Sequence, residues 1–570
     1  MRVNLVIGLF VCLFLTLSTR FFSLSVMQGE EFRELSYKNC IRLLPQPGAR
    51  GRIFDRHGVV IADNKLSYDL LLLPQSKNET ESTLSSIAGV LGTDLARLRI
   101  NFRRNFISSS LPVRLVKSLT LTTAIALAQL KTDIPSIFIQ PNPQRTYPFG
   151  KLACHVLGYV NEIDHWRLTQ LEPYGYKTKD IVGFGGIEEK YDYYLRQEEG
   201  GFSFEVDHRG KISRTVGFRL PTNGRDIQLT IDAGIQKVAE DNLAQQKGTI
   251  IIMDAYNGEI LAMANVPGFE PSIFVDRLDP MAIPDMFNDP NAPLLNRAIS
   301  GMYPPGSIFK AVVGAAALER GKITKNTRFL CEGGTLVGDR KFPCSSIHHS
   351  QDIIAALTHS CNVFFYRTGL LLTGSGIYDN AVRFGLGKPT GCQLPYESSG
   401  FVPSPFWKQV NKFKKWFDGD TANFSIGQGY LLVTPLQMVR MMAVFANKGA
   451  LVTPMIVKAI DAKAITPEKK NTSVALNPET IEYIRQGLRG VVSESTGTGH
   501  VLSGLALTVA GKTGTAQAPG GQSHAWFVGF FPYEESRYVI CVFLENAGSG
   551  HLACVVARHV LEGVISGKFL

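Results

Sequence analysis

Nucleic-acid signatures are missing from this 570-residue chain, which has no arginine-rich tract and no recognisable binding motif. Its formal net charge of +10 therefore suits an anionic polymer, a membrane surface or an ordinary basic exterior, with no nucleic-acid partner indicated. Cysteine is sparse and scattered, nine in all with Cys12 inside the first apolar run, unlike a small domain stapled by disulfides. No internal repeat is detectable in residues 28–220. Beyond residue 27 no stretch is long and apolar enough to cross a membrane, so a single pass is the most the sequence predicts. With 45% hydrophobic and 19% charged residues, the chain has apolar material for two or more cores.

What is present begins at the N-terminus. Residues 3–19 are nearly all apolar, and Arg20 interrupts before residues 21–27. The uninterrupted part is short against the roughly 20 residues a span needs. Arg20 can snorkel, which lets Phe21, Phe22 and Leu24 extend the segment. A cleaved signal peptide is the alternative, but no small-x-small site follows the run. The expectation is an uncleaved single-pass anchor in residues 1–27, in the inner membrane, with the bulk of the protein outside the cytoplasm.

Residues 28–220 mix short helical and extended patterns, and the texture changes near Leu229-Thr-Ile-Asp232. Residues 249–253 are strand formers, and Asn257-Gly258 is a two-residue hairpin signal leading to a second strand at 259–265. Pro304-Pro305-Gly306 stops the chain just before Ser307. Residues 307–318 are then almost wholly apolar apart from Ser307 and Lys310, the pattern of a buried helix. Residues 322–500 read as mostly helix and loop, and 506–518, 525–531 and 537–545 as three successive strands. Five strands around a helical middle predict an α+β fold, a five-stranded antiparallel sheet flanked by helices. The expected division is an anchor in 1–27, a non-catalytic domain in 28–220 and a catalytic domain in 221–570.

Chemistry is carried by three short patterns, Ser307-Ile-Phe-Lys310, Ser360-Cys-Asn362 and Lys512-Thr-Gly-Thr515. Each alone is common; in this order they form the signature of active-site serine penicillin-recognising enzymes. Ser307 would stand at the head of the buried helix, where free N–H groups and the macrodipole favour developing negative charge. Lys310, three residues on, shares its face and can reach the Ser307 hydroxyl. Apolar surroundings favour its neutral form, as a general base requires. Ser360 could relay a proton to the leaving amine and Asn362 could hold the substrate amide. Lys512 would supply the field for a terminal carboxylate, with Thr513 and Thr515 as hydroxyl donors. Gly514 would let another backbone approach. The N–H groups of Ser307 and Thr515 would form the oxyanion hole. Taken one at a time, the same residues also read as a helix cap, a capped loop and a bulged edge strand.

Further segments carry a resemblance. Arg50-Gly51-Arg-Ile-Phe-Asp55-Arg56-His-Gly58, Arg145-Thr-Tyr147-Pro148-Phe-Gly150 and Gly183-Phe-Gly-Gly186-Ile-Glu188 followed by Tyr191-Asp192 resemble motifs of the class B penicillin-binding proteins. So do Asn296-Arg297-Ala298 and Ser425-Ile-Gly427-Gln428-Gly429 leading to Thr434-Pro435-Leu436-Gln437. The chain is identified nearly end to end with these monofunctional peptidoglycan transpeptidases. Pro395-Tyr-Glu397, Trp407-Lys408, Gly419-Asp420-Thr421 and His524-Ala-Trp526-Phe527 look most like the elongation-type branch, with the division type as the close rival. The resemblance implies a D,D-transpeptidase that cross-links stem peptides through a Ser307 acyl-enzyme, and it makes β-lactams irreversible acylating agents. It also implies an N-terminal pedestal domain and, since 28–220 offers no second catalytic constellation, a polytopic glycosyltransferase partner in the membrane. D,D-carboxypeptidase or β-lactamase activity is the alternative within enzymes. A β-lactam sensor or a silent scaffold is the alternative outside them, although a sensor's H-E-x-x-H motif is missing.

Cys331, Cys344, His348 and Cys361 are spaced C-x12-C-x3-H-x12-C. Three thiolates and one imidazole suit tetrahedral zinc in a structural role, with no cofactor required for the chemistry itself. A Cys331–Cys344 disulfide and free buried thiols are the alternatives, and His349 competes with His348.

Overall fold

The computed structural model describes residues 2–106, 112–206, 212–243, 246–276, 281–466, 471–518 and 520–569. Helix Arg2–Phe22 runs on through a wider helical turn to Met27, and Val3–Met27 has mean hydropathy 2.1. At 1.5 Å per residue its 25 residues extend about 37 Å, enough for the roughly 30 Å hydrocarbon core of a bilayer. None of it is buried against other protein, and among the described residues it is the one helix that long and apolar.

The chain divides into two compact units. Unit one comprises Met1–Arg50, Asn64–Gln144 and Arg196–Gly224. In it residues 68–72 pair antiparallel with Val113–Leu119, and helices Lys77–Leu91 and Leu95–Asn105 cover a core of Leu70, Leu72, Leu84, Ile87, Leu98 and Ile137. Both helices start on caps. The Glu79 carboxylate accepts from the Ser76 N–H at 3.2 Å, and that of Asp94 from the Ala96 N–H at 2.9 Å. A second sheet joins Ile41–Gln46, Gly200–Val206 and Ile212–Arg219.

Unit two comprises Gly51–Asp63, Arg145–Leu195 and Arg225–Leu570. In chain order it contains strands β1 (Gly248–Asp254) and β2 (Ile260–Val266) and helix α1 (Lys310–Glu319). Four short strands follow, β3 (Phe329–Cys331), β4 (Gly334–Val337), β5 (Arg340–Pro343) and β6 (His349–Gln351). Helices α2 (Ile353–Thr358) and α3 (Asn362–Arg383), strands β7 (Ala510–Ala516), β8 (His524–Phe531) and β9 (Tyr538–Leu544), and helix α4 (Gly550–Ser566) complete the set used below. The central sheet has the order β2-β1-β9-β8-β7, antiparallel at every pairing. These are the five strands the sequence predicts, within a few residues.

Period-two geometry explains why the strands read as continuous apolar runs. Val539, Cys541 and Phe543 of β9 point into the core that holds α1. Ile540, Val542 and Leu544 point into a second core against α4. A sheet covered on both faces needs apolar residues at every position. The middle of the chain departs from the expectation of helix and loop, because β4 pairs with β5 and β3 with β6. Such three- and four-residue strands, one of them Arg340-Lys-Phe-Pro343, are too short and too polar to show alternation.

The N-terminal motif residues are structural knots inside unit two. Arg145 Nε lies 2.6 Å from Glu188 Oε1 with both side chains buried, and Arg145 Nη1 donates to the Gly51 carbonyl at 2.7 Å. Asp55 accepts from the N–H groups of His57 and Val59, each at 2.8 Å. Asp192 accepts from the Gly183 N–H at 2.8 Å and from the Tyr176 hydroxyl at 2.6 Å.

Candidate active site

Ser307 sits half-buried on a 3-10 turn, Gly306–Phe309, that runs directly into α1. Lys310 begins α1 and is fully buried. Its Nζ donates to the Ser360 carbonyl at 2.7 Å, to Asn362 Oδ1 at 2.6 Å and to Ser360 Oγ at 3.2 Å. Sequence spacing led us to expect a bond to the Ser307 hydroxyl. Instead all three bonds of the ammonium go to the Ser-Cys-Asn turn, because that turn offers it a carbonyl, a hydroxyl and an amide oxygen at once. Burial pulls the Lys310 pKa from the ordinary 10.5 to about 8, against the opposing influence of the thiols of Cys344 and Cys361.

The Ser-Cys-Asn segment leads from α2 into α3, whose first residue is Asn362, with Ser360 in the left-handed region at φ 57°. Asn362 anchors it, donating its backbone N–H to Cys344 Sγ at 3.1 Å and its side-chain amide to the Pro343 carbonyl at 3.4 Å. Ser307, Ser360, Asn362, Thr513 and Thr515 line one cleft of about 880 Å³. Lys310 and Lys512 lie buried and do not line it.

Strand β7 is the sheet edge and carries Lys512-Thr-Gly-Thr515. The fully buried Lys512 has its basicity held well below normal by desolvation and by the nearby Lys310. Its ammonium donates to the Thr513 carbonyl at 3.4 Å. Gly514 is required by close approach. A Cβ there would stand 3.0 Å from the Pro305 carbonyl oxygen and 3.2 Å from both Ile308 Cγ1 and Trp526 Cβ, prising the Ser307 turn off the strand. Gly427, at φ 73°, would likewise drive a side chain into the backbone of Gly306, whose N–H it holds at 3.0 Å through its carbonyl.

Sequence reasoning missed some of the lining. Thr498 joins Thr513 hydroxyl to hydroxyl at 2.7 Å, and the Gly-Thr-Gly run around Thr498 was the available signal. Gln428, given above only within a segment of family resemblance, donates to the Thr515 carbonyl at 3.4 Å. Tyr366 and the residues of β5 also line the cleft. Nothing in their local sequence announces it.

The three cysteines and His348 converge beside this turn, their donor atoms all within 4.8 Å of one another. His348 Nδ1 lies 3.6 Å from Cys331 Sγ and 3.4 Å from Cys344 Sγ. Tetrahedral zinc, with bonds of about 2.3 Å to sulfur and 2.05 Å to nitrogen, has sulfur–nitrogen edges of about 3.6 Å. The set therefore fits the ion. His348 Nε2 is within 2.9 Å of Ser346 Oγ, which leaves Nδ1 toward the sulfurs. Cys331, Cys344 and Cys361 are all free thiols. A hydrogen bond between Cys344 and Cys361 holds the first well below the ordinary thiol range and pushes the second up. His349 stands outside the group.

A serine on a buried helix head, beside a lysine of lowered basicity and a Lys-Thr-Gly edge strand, defines a serine acyl-transfer site of the penicillin-recognising class. Comparisons with known proteins agree. The penicillin-binding protein transpeptidase domain matches residues 248–562, and the penicillin-binding protein dimerisation domain matches residues 45–229. The peptidoglycan D,D-transpeptidase MrdA of Acinetobacter baumannii is 32% identical over 98% of this chain and 87% of its own length. The MrdA of Escherichia coli K12 is 29% identical over 96% and 91%. Among solved structures, the complex between penicillin-binding protein PBP2 and MreC from Helicobacter pylori superposes with a TM-score of 0.84 at 29% identity, covering 93% of this chain and 99% of that one. Pseudomonas aeruginosa PBP2 in complex with WCK 5153 gives 0.71 at 27% identity, covering 92% and 96%. The chain belongs to the penicillin-binding peptidoglycan D,D-transpeptidases, on the elongation-type branch.

Proposed function

We propose that Ser307 is the nucleophile of a peptidoglycan cross-linking reaction. Its Oγ attacks the carbonyl of the penultimate D-alanine of a donor stem peptide. Neutral Lys310 takes the hydroxyl proton, and the N–H groups of Ser307 and Thr515 receive the oxyanion. Ser360 relays that proton to the departing nitrogen, the terminal D-alanine leaves, and an ester to Ser307 remains. An amine of a second stem peptide then attacks the ester, forms the cross-link and returns the proton to the serine. Lys512 with the hydroxyls of Thr513 and Thr515 binds the donor's terminal carboxylate, Gly514 keeps the strand close, and Asn362 orients the donor amide.

The observation that carries this reading is the buried Lys310, hydrogen-bonded to Ser360 and Asn362 under a cleft that Ser307 lines. A structural zinc held by Cys331, Cys344, His348 and Cys361 would pin the Ser-Cys-Asn turn through Cys344, which accepts the Asn362 N–H; the acyl transfer itself needs no cofactor. We place the anchor in residues 1–27, the non-catalytic pedestal in 28–220 and the catalytic domain in 221–570, on the extracytoplasmic side of the inner membrane. Protein partners are supported by the MreC complex of the Helicobacter pylori relative and by a related peptidoglycan synthase complex. The partner we infer is a polytopic glycosyltransferase of the elongation machinery, because polymerised glycan must reach this cleft. The test is product analysis with membrane-embedded glycan precursor and a glycan polymerase. Cross-linked dimers that vanish with Ser307→Ala support the proposal, whereas tetrapeptide monomers alone would mean hydrolysis.

A further inference from the structure

Among the described residues that line the cleft, none is aspartate or glutamate, while Arg340 and Lys341 of β5 are both on its wall. Both side chains are exposed, and neither has an ion pair or side-chain hydrogen bond among the described residues. Two free cations on the wall of an acid-free cleft form a field for an anion.

The wall that carries them is fixed. In the β4–β5 hairpin Val337 stands opposite Arg340 and Leu336 opposite Lys341. The Phe342 ring packs edge-on to Tyr366 at 5.4 Å. The Pro343 carbonyl accepts from the Tyr366 hydroxyl at 3.2 Å and from the Asn362 amide at 3.4 Å. The Cys344 N–H donates to the Gly333 carbonyl at 3.0 Å, closing the hairpin at its base. The strand that carries the two cations is therefore bonded to the Ser-Cys-Asn segment itself through Pro343, and their exposed side chains reach out from it.

We propose that Arg340 and Lys341 form a carboxylate-binding subsite for the donor stem peptide, upstream of the scissile amide. This rests on the Ser307 reading and adds a specificity element to it. A stem peptide carries, besides its terminal carboxylate, a free carboxylate on the γ-linked acidic residue nearer the glycan. The terminal carboxylate belongs at the Thr513–Thr515 wall, so the hairpin wall takes the upstream one. Arginine supplies a planar fork for bidentate capture, and lysine supplies a point charge beside it.

The test measures release of D-alanine by the purified full chain from two synthetic stem pentapeptides. One has its upstream carboxylates free and the other has them amidated; benzylpenicillin labelling is followed in parallel. Wild type should prefer the free peptide about tenfold, the size expected of two partly solvated charge pairs. The preference should shrink as salt rises. Arg340→Gln with Lys341→Gln should erase it, and Arg340→Lys with Lys341→Arg, which keeps both charges, should retain most of it. Stoichiometric benzylpenicillin adducts on each variant would show that the Ser307 site is intact. Equal rates for the two peptides in wild type would overturn the subsite, as would a preference that survives the double glutamine variant. Absence of any benzylpenicillin adduct on wild type would instead overturn the Ser307 reading beneath it.

Discussion

Acylation of Ser307 should follow the ionisation of Lys310, and the structure sets the scale. Burial lowers this lysine from 10.5 to about 8, so at pH 7 about one molecule in ten holds the neutral base. With an ordinary lysine the fraction would be about three in ten thousand, so burial raises the supply of base roughly 300-fold. The second-order rate of acylation by a fluorescent penicillin should climb about tenfold from pH 6 to 7 and level off near 8. Lys310→Arg keeps the charge but has no neutral form in this range, and should slow acylation about a thousandfold at pH 7. The same shift has a sign for stability. Between about 8 and 10.5 the folded lysine binds fewer protons than the unfolded one, so the burial penalty, complete below that window, is relieved as pH rises through it. Stopped-flow labelling between pH 6 and 9.5 reads the kinetic arm. A flat profile, or a rate still climbing tenfold per unit at pH 9.5, would refute the claim that this buried lysine is the base.

Other perturbations follow from contacts described above. Gly514→Ala sets a methyl group 3.0 Å from the Pro305 carbonyl and should cut penicillin acylation by about tenfold or more while the chain stays folded by circular dichroism. Arg145→Ala removes the buried cation 2.6 Å from the Glu188 carboxylate, whose side chain is 0% exposed. It should cost about 3–5 kcal/mol, read as a lower midpoint in chemical denaturation. Cys344→Ser removes a thiolate from the proposed zinc set and the acceptor of the Asn362 N–H. Metal analysis should fall from one zinc per chain toward none, with a melting temperature lower by about 5 °C or more; wild-type protein purified without metal would contradict the zinc proposal.

Legibility in the sequence followed the range of the physics involved. The central sheet was readable because β1, β2, β8 and β9 are mostly apolar at successive positions, the first two are joined by Asn257-Gly258, and β7 carries the Lys-Thr-Gly pattern, signals local in the chain. Helix α1 was readable for the same reason, its first eight residues, Lys310 to Ala317, all being buried. Ser360 and Asn362 read as a capped loop; the structure puts Ser360 between α2 and α3 and Asn362 at the first position of α3. What escaped depends on chain closure over long separations. The bonds of Lys310 run to residues 50 and 52 positions away, and sequence spacing alone favoured the nearby Ser307. The Arg145–Glu188 pair joins two segments that carried a family resemblance but no signal that they meet. The β4–β5 hairpin is held by Tyr366 and Asn362 rather than by any alternation of its own. The cysteine and histidine spacing did point to one cluster, because four ligand-type residues within about 30 positions are conspicuous even when their strands are not.

The central claim, that Ser307 is the acylated nucleophile, is tested most directly by intact mass of the purified chain after benzylpenicillin, comparing wild type with Ser307→Ala. The account predicts one drug mass on wild type, slow to clear, and none on the variant. An adduct on both proteins, or on neither, would contradict it.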